Sequence, residues 1–296
     1  MKLHFFGGPH APLLISTLAT TIFIAGCGGG IAEDRVASVR TISTQGAPTY
    51  GNLATFTVEG INLDAGLTVS TDGCTGAYIL RDENPELIRV TCTPSRDGDI
   101  SISVNSAAGV TLRSASFAVP KPQVKLTTTL GSLLIELEPT KAPITVKNFL
   151  AYVKDGFFTN TVFHRVYPRF VAQGGAFTFD TTYTPKAPTR AAIPLERTTV
   201  TGLSNRAKTV GMARTDIPDS ATSQFFINFS DNLFLNAQES TDGNGYAVFG
   251  TVISSPEVDS DTTLGAIKAI QLINNGGGEI SLPAIPPTIS AISRIR

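Results

Sequence analysis

The amino-acid sequence predicts a mainly β protein, in which a small β-sandwich precedes a larger domain that combines strands with few helices. Short runs of alternating apolar and polar residues recur from residue 37 to about residue 119, and an alternating hairpin followed by one amphipathic helix opens the part that begins at residue 124. The chain has 296 residues, of which 42% are hydrophobic and 16% charged, a composition typical of globular proteins of about two domains. Because 23 basic residues face 24 acidic ones, the charge excess that nucleic-acid binding needs is missing, and we expect no nucleic-acid partner.

Residues 1–26 are predicted to be a signal peptide. An apolar run from Leu13 to Ala25 is too short to span a membrane and ends in Ile24-Ala25-Gly26-Cys27, which resembles the bacterial lipobox. The resemblance implies cleavage before Cys27, lipidation of its thiol and anchoring of the mature chain to a membrane. Gly28-Gly29-Gly30 then begins a flexible tether over residues 27–36. An ordinary signal peptide with a cysteine near its cleavage site is the alternative.

The residue after the lipidated cysteine bears on the compartment. Gly28 stands where an Asp would indicate retention in the inner membrane under the bacterial sorting rule. The resemblance therefore implies a lipid-anchored protein of the cell envelope, on the outer membrane and facing the periplasm.

Residues 37–119 are predicted to form the β-sandwich. Their turns and spacing resemble the immunoglobulin-like modules of bacterial surface proteins, and the role expected for them is that of a spacer, with binding of a protein or polysaccharide as the alternative. The residues expected to share a face within their strands are Phe56 and Val58; Ile88, Val90 and Cys92; Ile100, Ile102 and Val104; and Val110 and Leu112.

Three cysteines leave one without a partner if two are paired. If Cys27 is acylated, Cys74, in the predicted turn Thr71-Asp72-Gly73-Cys74, and Cys92 remain, and in an exported protein these two are expected to form a disulfide. Two separate thiols are the alternative. The proline-rich segment 120–123 is predicted to be a stiff linker.

The domain predicted over residues 124–296 starts with strands around Val124–Leu126 and Leu133–Leu137, joined by a turn at Leu130-Gly131. Pro143 suits the first turn of the helix that follows, and Gly156 suits its end. A second, short helix is predicted at Leu264–Leu272, after an acidic surface loop over residues 255–264. The glycine run Gly276–Gly278 lacks the Lys and Ser/Thr of a phosphate loop and is predicted to be a surface turn.

Three blocks of this domain carry a specific resemblance. They are FHRVYPRFVAQGGAFT (Phe163–Thr178), VGMARTDIPDSATSQFFINFSDNLFL (Val210–Leu235) and GYAVFGTV (Gly245–Val252). In order and spacing they are similar to the cyclophilins, a family of peptidyl-prolyl cis-trans isomerases, and to their bacterial periplasmic branch. The resemblance implies an eight-stranded antiparallel barrel capped by two helices, isomerase activity on proline-containing polypeptides, and no cofactor or metal.

The family pattern also assigns the site. Arg165 falls on the catalytic arginine, and Gln173 on the glutamine that holds it and contacts the substrate backbone. An arginine suits this reaction, because its charged donors can be aimed at the proline nitrogen, which becomes pyramidal in the twisted amide. Residues that the resemblance assigns to substrate binding are Phe170, Val171, Met212, Ala213, Arg214, Gln224, Phe226, Phe234, Leu235 and Tyr246. For Met212 a purely structural place in the core is an equal alternative.

Some residues depart from the family pattern. Many eukaryotic cyclophilins have a Trp where this chain has Phe234, so weak cyclosporin binding is expected, and Arg169 replaces a Gly and adds charge near the mouth of the site. Beyond the signal peptide His164 is the one histidine, which leaves no histidine-rich metal site, and it is expected to be a buried structural residue beside Arg165.

The leading hypothesis is therefore a monomeric, membrane-anchored isomerase that assists the folding of exported proteins. A non-catalytic module that binds proline segments as a chaperone, or a surface adhesin that uses the sandwich, are the alternatives.

Overall fold

The computed structural model describes residues 36–274 and 276–296, and Val36–Arg296 forms one compact unit. The predicted signal peptide, Cys27 and all but the last residue of the predicted tether lie outside the described residues. Within the described part of the chain, no helix has the length and apolar character needed to cross a membrane.

Seven strands precede the predicted linker and form two antiparallel sheets. One sheet has the order β1-β2-β5-β4 and the other the order β3-β6-β7, which is the strand arrangement of constant-type immunoglobulin sandwiches. The strands are β1 (Ser38–Thr44), β2 (Ala54–Ile61), β3 (Thr68–Asp72), β4 (Cys74–Arg81), β5 (Leu87–Pro94), β6 (Gly98–Asn105) and β7 (Thr111–Val119). This topology supports the predicted architecture, while kinship with the immunoglobulin-like modules stays a prediction.

The interior of this part is built from the alternating residues of three strands. Eight of the expected inward residues, from Phe56 in β2 to Val104 in β6, are at most 2% exposed, and the Phe56 ring lies 4.7 Å from that of Phe117 on the other sheet. A disulfide joins Cys74 to Cys92 on the neighbouring strands β4 and β5. The expectation for Val110 is wrong: it is 63% exposed, because the turn Ser106–Gly109 ends there and β7 starts at Thr111.

In its described residues, the second part has eleven strands and three α-helices. They are β8 (Gln123–Thr128), β9 (Gly131–Leu137), α1 (Pro143–Lys154), β10 (Thr161–Val166), β11 (Val171–Phe179), β12 (Tyr183–Pro185), α2 (Thr198–Thr201), β13 (Thr209–Met212), β14 (Phe225–Asn228), β15 (Val248–Ile253), α3 (Ser260–Lys268), β16 (Leu272–Asn274), β17 (Ile280–Pro283) and β18 (Ile289–Arg294).

Eight of these strands form a nearly closed antiparallel barrel in the order β10-β11-β14-β13-β15-β9-β8-β18. An isolated bridge from Val162 to Thr288 and a hydrogen bond from Phe163 N to Pro287 O (3.0 Å) join the two ends. Helix α1 packs against β18, and α3 packs against β9 and β15. The predicted eight-stranded barrel with two capping helices is therefore confirmed.

Aromatic side chains fill the barrel under α1. The rings of Phe149, Phe158 and Phe163 surround Phe225 at centroid distances of 5.5–5.9 Å, and all four side chains are fully buried. Aromatic rings bury large apolar areas, so this cluster is a main source of the stability of the barrel. Because neighbouring residues of a strand face opposite sides, burying Phe225 turns Phe226 to the outer face.

The helix boundaries test the sequence predictions in detail. Helix α1 has Pro143 at its first turn and ends just before Gly156, as predicted. Helix α3, predicted at Leu264–Leu272, lies at Ser260–Lys268. Asp259 Oδ1 accepts a hydrogen bond from Thr262 N (3.0 Å), so the helix starts inside the acidic stretch. Leu272 instead begins β16, and Cys74 begins β4 rather than lying in the preceding turn.

Candidate active site

The strand register brings the predicted catalytic residues into one row across the barrel. Arg165 on β10 pairs with Gln173 on β11, Gln173 pairs with Phe226 on β14, and Phe226 pairs with Gly211 on β13. Side chains of directly opposed residues share a face of the sheet, so Arg165, Gln173 and Phe226 project together from the outer surface. The site is thus positioned by backbone hydrogen bonds between four adjacent strands.

A cavity of about 120 Å³ lies over this row. Its apolar lining includes Val171 and Phe226, which are 2% and 4% exposed, and Arg165 lines it as well. Nine of the twelve residues assigned from the sequence line the cavity: Arg165, Phe170, Val171, Gln173, Ala213, Arg214, Phe226, Leu235 and Tyr246.

Three assigned residues lie beside the cavity rather than in its lining. Met212 is 2% exposed and belongs to the core, which favours the structural alternative for this residue. Gln224 Oε1 accepts a hydrogen bond from Gln173 Nε2 (2.9 Å) and so stands behind Gln173. Phe234 is 55% exposed and stacks on Phe170 at the rim, with ring centroids 5.6 Å apart.

Among the described residues, Glu279 and Phe170 contact the Arg165 guanidinium. Its Nη2 donates to Glu279 Oε1 at 2.6 Å, and its Cζ lies 5.6 Å from the centre of the Phe170 ring. The hydrogen bond that the structure shows for Gln173 Nε2 goes to Gln224 instead of Arg165. The guanidinium is therefore fixed by a carboxylate and a ring, a pairing that the sequence comparison did not reveal.

Arg214 also lines the cavity, and its side chain is 3% exposed. Its Nε donates to Gly245 O (2.8 Å), its Nη2 forms an ion pair with Asp242, and its Cζ lies 4.7 Å from the centre of the Tyr246 ring. A hydrogen bond from Asn244 N, together with the Arg214 contact, holds the pKa of the Asp242 carboxyl well below its usual range. Asp242 is a supporting residue that sequence reasoning missed, since it lies outside the matched blocks.

Buried asparagines donate hydrogen bonds to the backbone of residues that line the cavity. Asn232 Nδ2 donates to Phe170 O (3.0 Å) and to Asn228 Oδ1 (2.7 Å), and Asn205 Nδ2 donates to Leu235 O (3.2 Å). These buried amides fix the backbone on two sides of the cavity, because unpaired polar groups in such a place would be costly. The asparagines of the block DNLFLN were the available signal for this role.

His164 precedes Arg165 on β10, and its ring centroid lies 4.7 Å from that of Phe177. Burial, with a smaller contribution from the Arg165 charge, lowers the pKa of His164 from 6.5 to about 4. The imidazole is therefore neutral at neutral pH and carries no charge into the site.

A larger cleft, of about 850 Å³, lies between the seven-stranded part and the barrel. It is lined by residues such as Tyr50, Lys147 and Arg294, and it contains none of the predicted site residues. In the described part of the chain, no group of three or more His, Cys, Asp or Glu side chains is arranged to hold a metal ion.

Comparisons with known proteins agree with this geometry. The sequence profile of the cyclophilin-type peptidyl-prolyl cis-trans isomerases matches residues 123–274. A peptidyl-prolyl cis-trans isomerase of Acinetobacter baylyi is 49% identical over 144 residues, which cover 49% of this chain and 73% of that protein. Isomerase A of Dickeya dadantii is 42% identical over 198 residues, which cover 67% of this chain and 97% of that protein.

Two solved structures are similar to part of this chain. A cyclophilin-type isomerase of Cryptosporidium parvum is 27% identical and superposes with a TM-score of 0.48 over 60% of this chain and 98% of its own. A second crystal structure described under that name, from the same organism, was determined in the presence of the dipeptide Ala-Pro. On the profile match and the identities to the bacterial relatives, this chain belongs to the cyclophilin family and is a peptidyl-prolyl cis-trans isomerase.

Proposed function

We propose that Arg165 catalyses rotation about X–Pro bonds by stabilising the twisted amide over the cavity. The placement of Arg165 in the lining of a cavity that it shares with apolar side chains carries the proposal. Uncatalysed rotation takes tens to hundreds of seconds, because resonance keeps the peptide bond planar. No nucleophile or base is needed, since a site that binds the twisted form better than either planar isomer lowers the barrier.

The residues around the cavity divide this work. Val171, Phe226 and Leu235 form an apolar wall suited to a proline ring. The free donors of Arg165 can then reach the proline nitrogen, which gains a lone pair as the amide twists. Ala213 offers backbone groups, and Gln173 its side-chain amide, to the flanking peptide. Each 1.36 kcal/mol by which the site stabilises the twisted amide selectively raises the isomerisation rate tenfold.

An isomerisation assay on an X–Pro peptide tests this role. In the full chain, Arg165→Ala should lower kcat/KM by about a hundredfold, as removal of one aimed donor does in other enzymes. Arg206→Ala removes an exposed arginine that pairs with Asp231, and it should leave the rate unchanged. If both variants retain the wild-type rate, Arg165 has no part in catalysis. Wild-type turnover also distinguishes the enzyme from a chaperone module that only holds proline segments.

We further propose that this isomerase works in the cell envelope, on exported proline-containing polypeptides, as a monomer anchored through lipidated Cys27. The lipobox-like sequence before Cys27 and the pairing of Cys74 with Cys92 support this location, since disulfides persist in oxidising compartments. Mass spectrometry of the mature N-terminus tests it: a diacylglyceryl group on Cys27 is expected, and an unmodified cleavage site elsewhere would contradict the anchor.

Inhibitor binding gives a second test of the rim. Phe234 stands where many eukaryotic relatives have a Trp, and its 55% exposed ring offers less area to a cyclic peptide than an indole. We expect weak inhibition by cyclosporin, and Phe234→Trp should strengthen it.

A further inference from the structure

An ion pair joins Arg165, which lines the cavity, to Glu279, 114 residues away in the sequence. The two side chains are 32% and 34% exposed, so the pair is partly shielded from water. Glu279 lies outside the three blocks that matched the cyclophilin pattern. Nothing in the resemblance therefore gives this residue a role.

Glu279 contacts the guanidinium but is not among the described residues that line the cavity, whereas Arg165 is. The contact engages Nη2, and a guanidinium has five N–H donors in a fixed plane. The contact of Nη2 with Glu279 leaves other N–H donors of the guanidinium available to the substrate, so the ion pair does not block the proline cavity.

The carboxylate belongs to a pair of antiparallel strands, β16 and β17, which together with residues 276–279 we call the arm (residues 272–274 and 276–283). Asn274 Oδ1 accepts hydrogen bonds from the backbone N–H groups of Gly276 (2.8 Å) and Gly278 (3.2 Å), both at positive φ near +89°. At the other end, Tyr183 Oη donates to Pro283 O (2.7 Å). Strand β17 packs beside β10, the strand that carries Arg165.

The guanidinium needs such a holder. A free arginine side chain populates many rotamers, and aiming its donors at one atom requires that this freedom be removed before the substrate binds. The amide of Gln173, which the resemblance assigned to this task, donates to Gln224. The Phe170 ring supports one face of the guanidinium but sets no direction in its plane.

We propose that Glu279 is a positioning residue for Arg165, which holds one edge of the guanidinium so that its other donors point into the proline cavity. The inference rests on the proposed role of Arg165. It predicts that loss of Glu279 lowers kcat and changes KM little, because the substrate still fits the cavity while the donor is misdirected.

The experiment measures kcat and KM of the full chain with Glu279→Ala and Glu279→Gln. We expect Glu279→Ala to lower kcat about fivefold, the factor that corresponds to a partly exposed ion pair of about 1 kcal/mol. Glu279→Gln retains an oxygen acceptor and should fall between Ala and wild type. Glu257→Ala, which removes another carboxylate from a surface loop of the barrel, is the matched control and should leave kcat unchanged.

The Arg165→Ala background separates the possible failures. In that background, Glu279→Ala should cause no further loss of kcat. In an otherwise wild-type chain, the Nε–Hε NMR signal of Arg165 should show slower guanidinium rotation with Glu279 than with Glu279→Ala. An unchanged or higher kcat in Glu279→Ala overturns the positioning role, the higher value meaning that Glu279 competes with the substrate. If Arg165→Ala itself is fully active, the proposed function fails, whereas the NMR comparison still reports whether Glu279 orders the side chain.

Discussion

Gly211 offers the sharpest test of how the apolar wall is built, because its missing side chain is the space that the Phe226 ring occupies. A Cβ atom on Gly211 would lie 2.5, 2.9 and 3.0 Å from three atoms of that ring, where ordinary contacts begin near 3.4 Å. The ring would have to retreat by about 1 Å. Phe226 is 4% exposed and meets Tyr246 edge-on at 5.8 Å, so the ring can retreat only at the expense of the cavity or of that contact.

We therefore expect Gly211→Ala to lower the free energy of unfolding by about 1–3 kcal/mol, the usual range for overpacking, and to lower kcat/KM by about tenfold. Thermal unfolding followed by circular dichroism and an isomerisation assay measure the two effects. Gly265→Ala is the control: in helix α3 nothing lies within 4 Å of the added carbon, and the change should stabilise by up to about 1 kcal/mol with full activity. Wild-type stability and activity in Gly211→Ala would refute the close-packing argument.

Three further predictions concern parts away from the cavity. Reducing the disulfide between Cys74 and Cys92, which are 18 residues apart, should lower the free energy of unfolding by about 3 kcal/mol. Urea unfolding with and without dithiothreitol measures this, and equal midpoints in both would contradict it. Burial lowers the pKa of His164 from 6.5 to about 4, so the unfolded chain takes up a proton at a higher pH than the folded chain, and stability should fall by up to about 3 kcal/mol as the pH drops from 6.5 to 4. The isomerisation rate should stay flat between about pH 6 and 8. His164→Gln should remove the dependence of stability on pH, and an unaltered dependence would assign it to other groups. Glu196→Gln should destabilise by about 1 kcal/mol in thermal unfolding, since the carboxylate accepts hydrogen bonds from Ile144 N and Thr145 N at the start of α1, and an unchanged melting temperature would deny this capping role.

The fold was predictable where local pattern and family motif coincide. The hairpin of β8 and β9 and helix α1 follow from alternation, from Pro143 and from Gly156. Helix α3 begins four residues before the predicted start at Leu264, since the hydrogen bond from Thr262 N to Asp259 outweighs the apolar pattern that favoured Leu264 as the first helical residue. A cap is one contact among several acidic residues, and periodicity alone cannot select it.

The site was predictable to the extent that its residues lie in the three matched blocks. Nine of the assigned residues line one cavity, and the barrel register turns three of them, Arg165, Gln173 and Phe226, to the same face. Glu196, which caps α1 from 51 residues away, and Asp242, which holds Arg214, lie outside those blocks. Their roles depend on where the chain returns in space, and no local sequence signal carries that information.

The row of directly opposed residues explains why a reaction without proton transfer can be served by an ordinary sheet surface. Arg165, Gln173 and Phe226 are fixed relative to one another by the ladders of β10, β11 and β14, so the spacing of donor and apolar wall is set by backbone hydrogen bonds. What the ladder cannot set is the direction of a long side chain, since the arginine retains several rotatable bonds. In the mechanism that we propose, a contact from outside the ladder, that of Glu279 with Arg165, supplies this last constraint where selective binding of the twisted amide requires it.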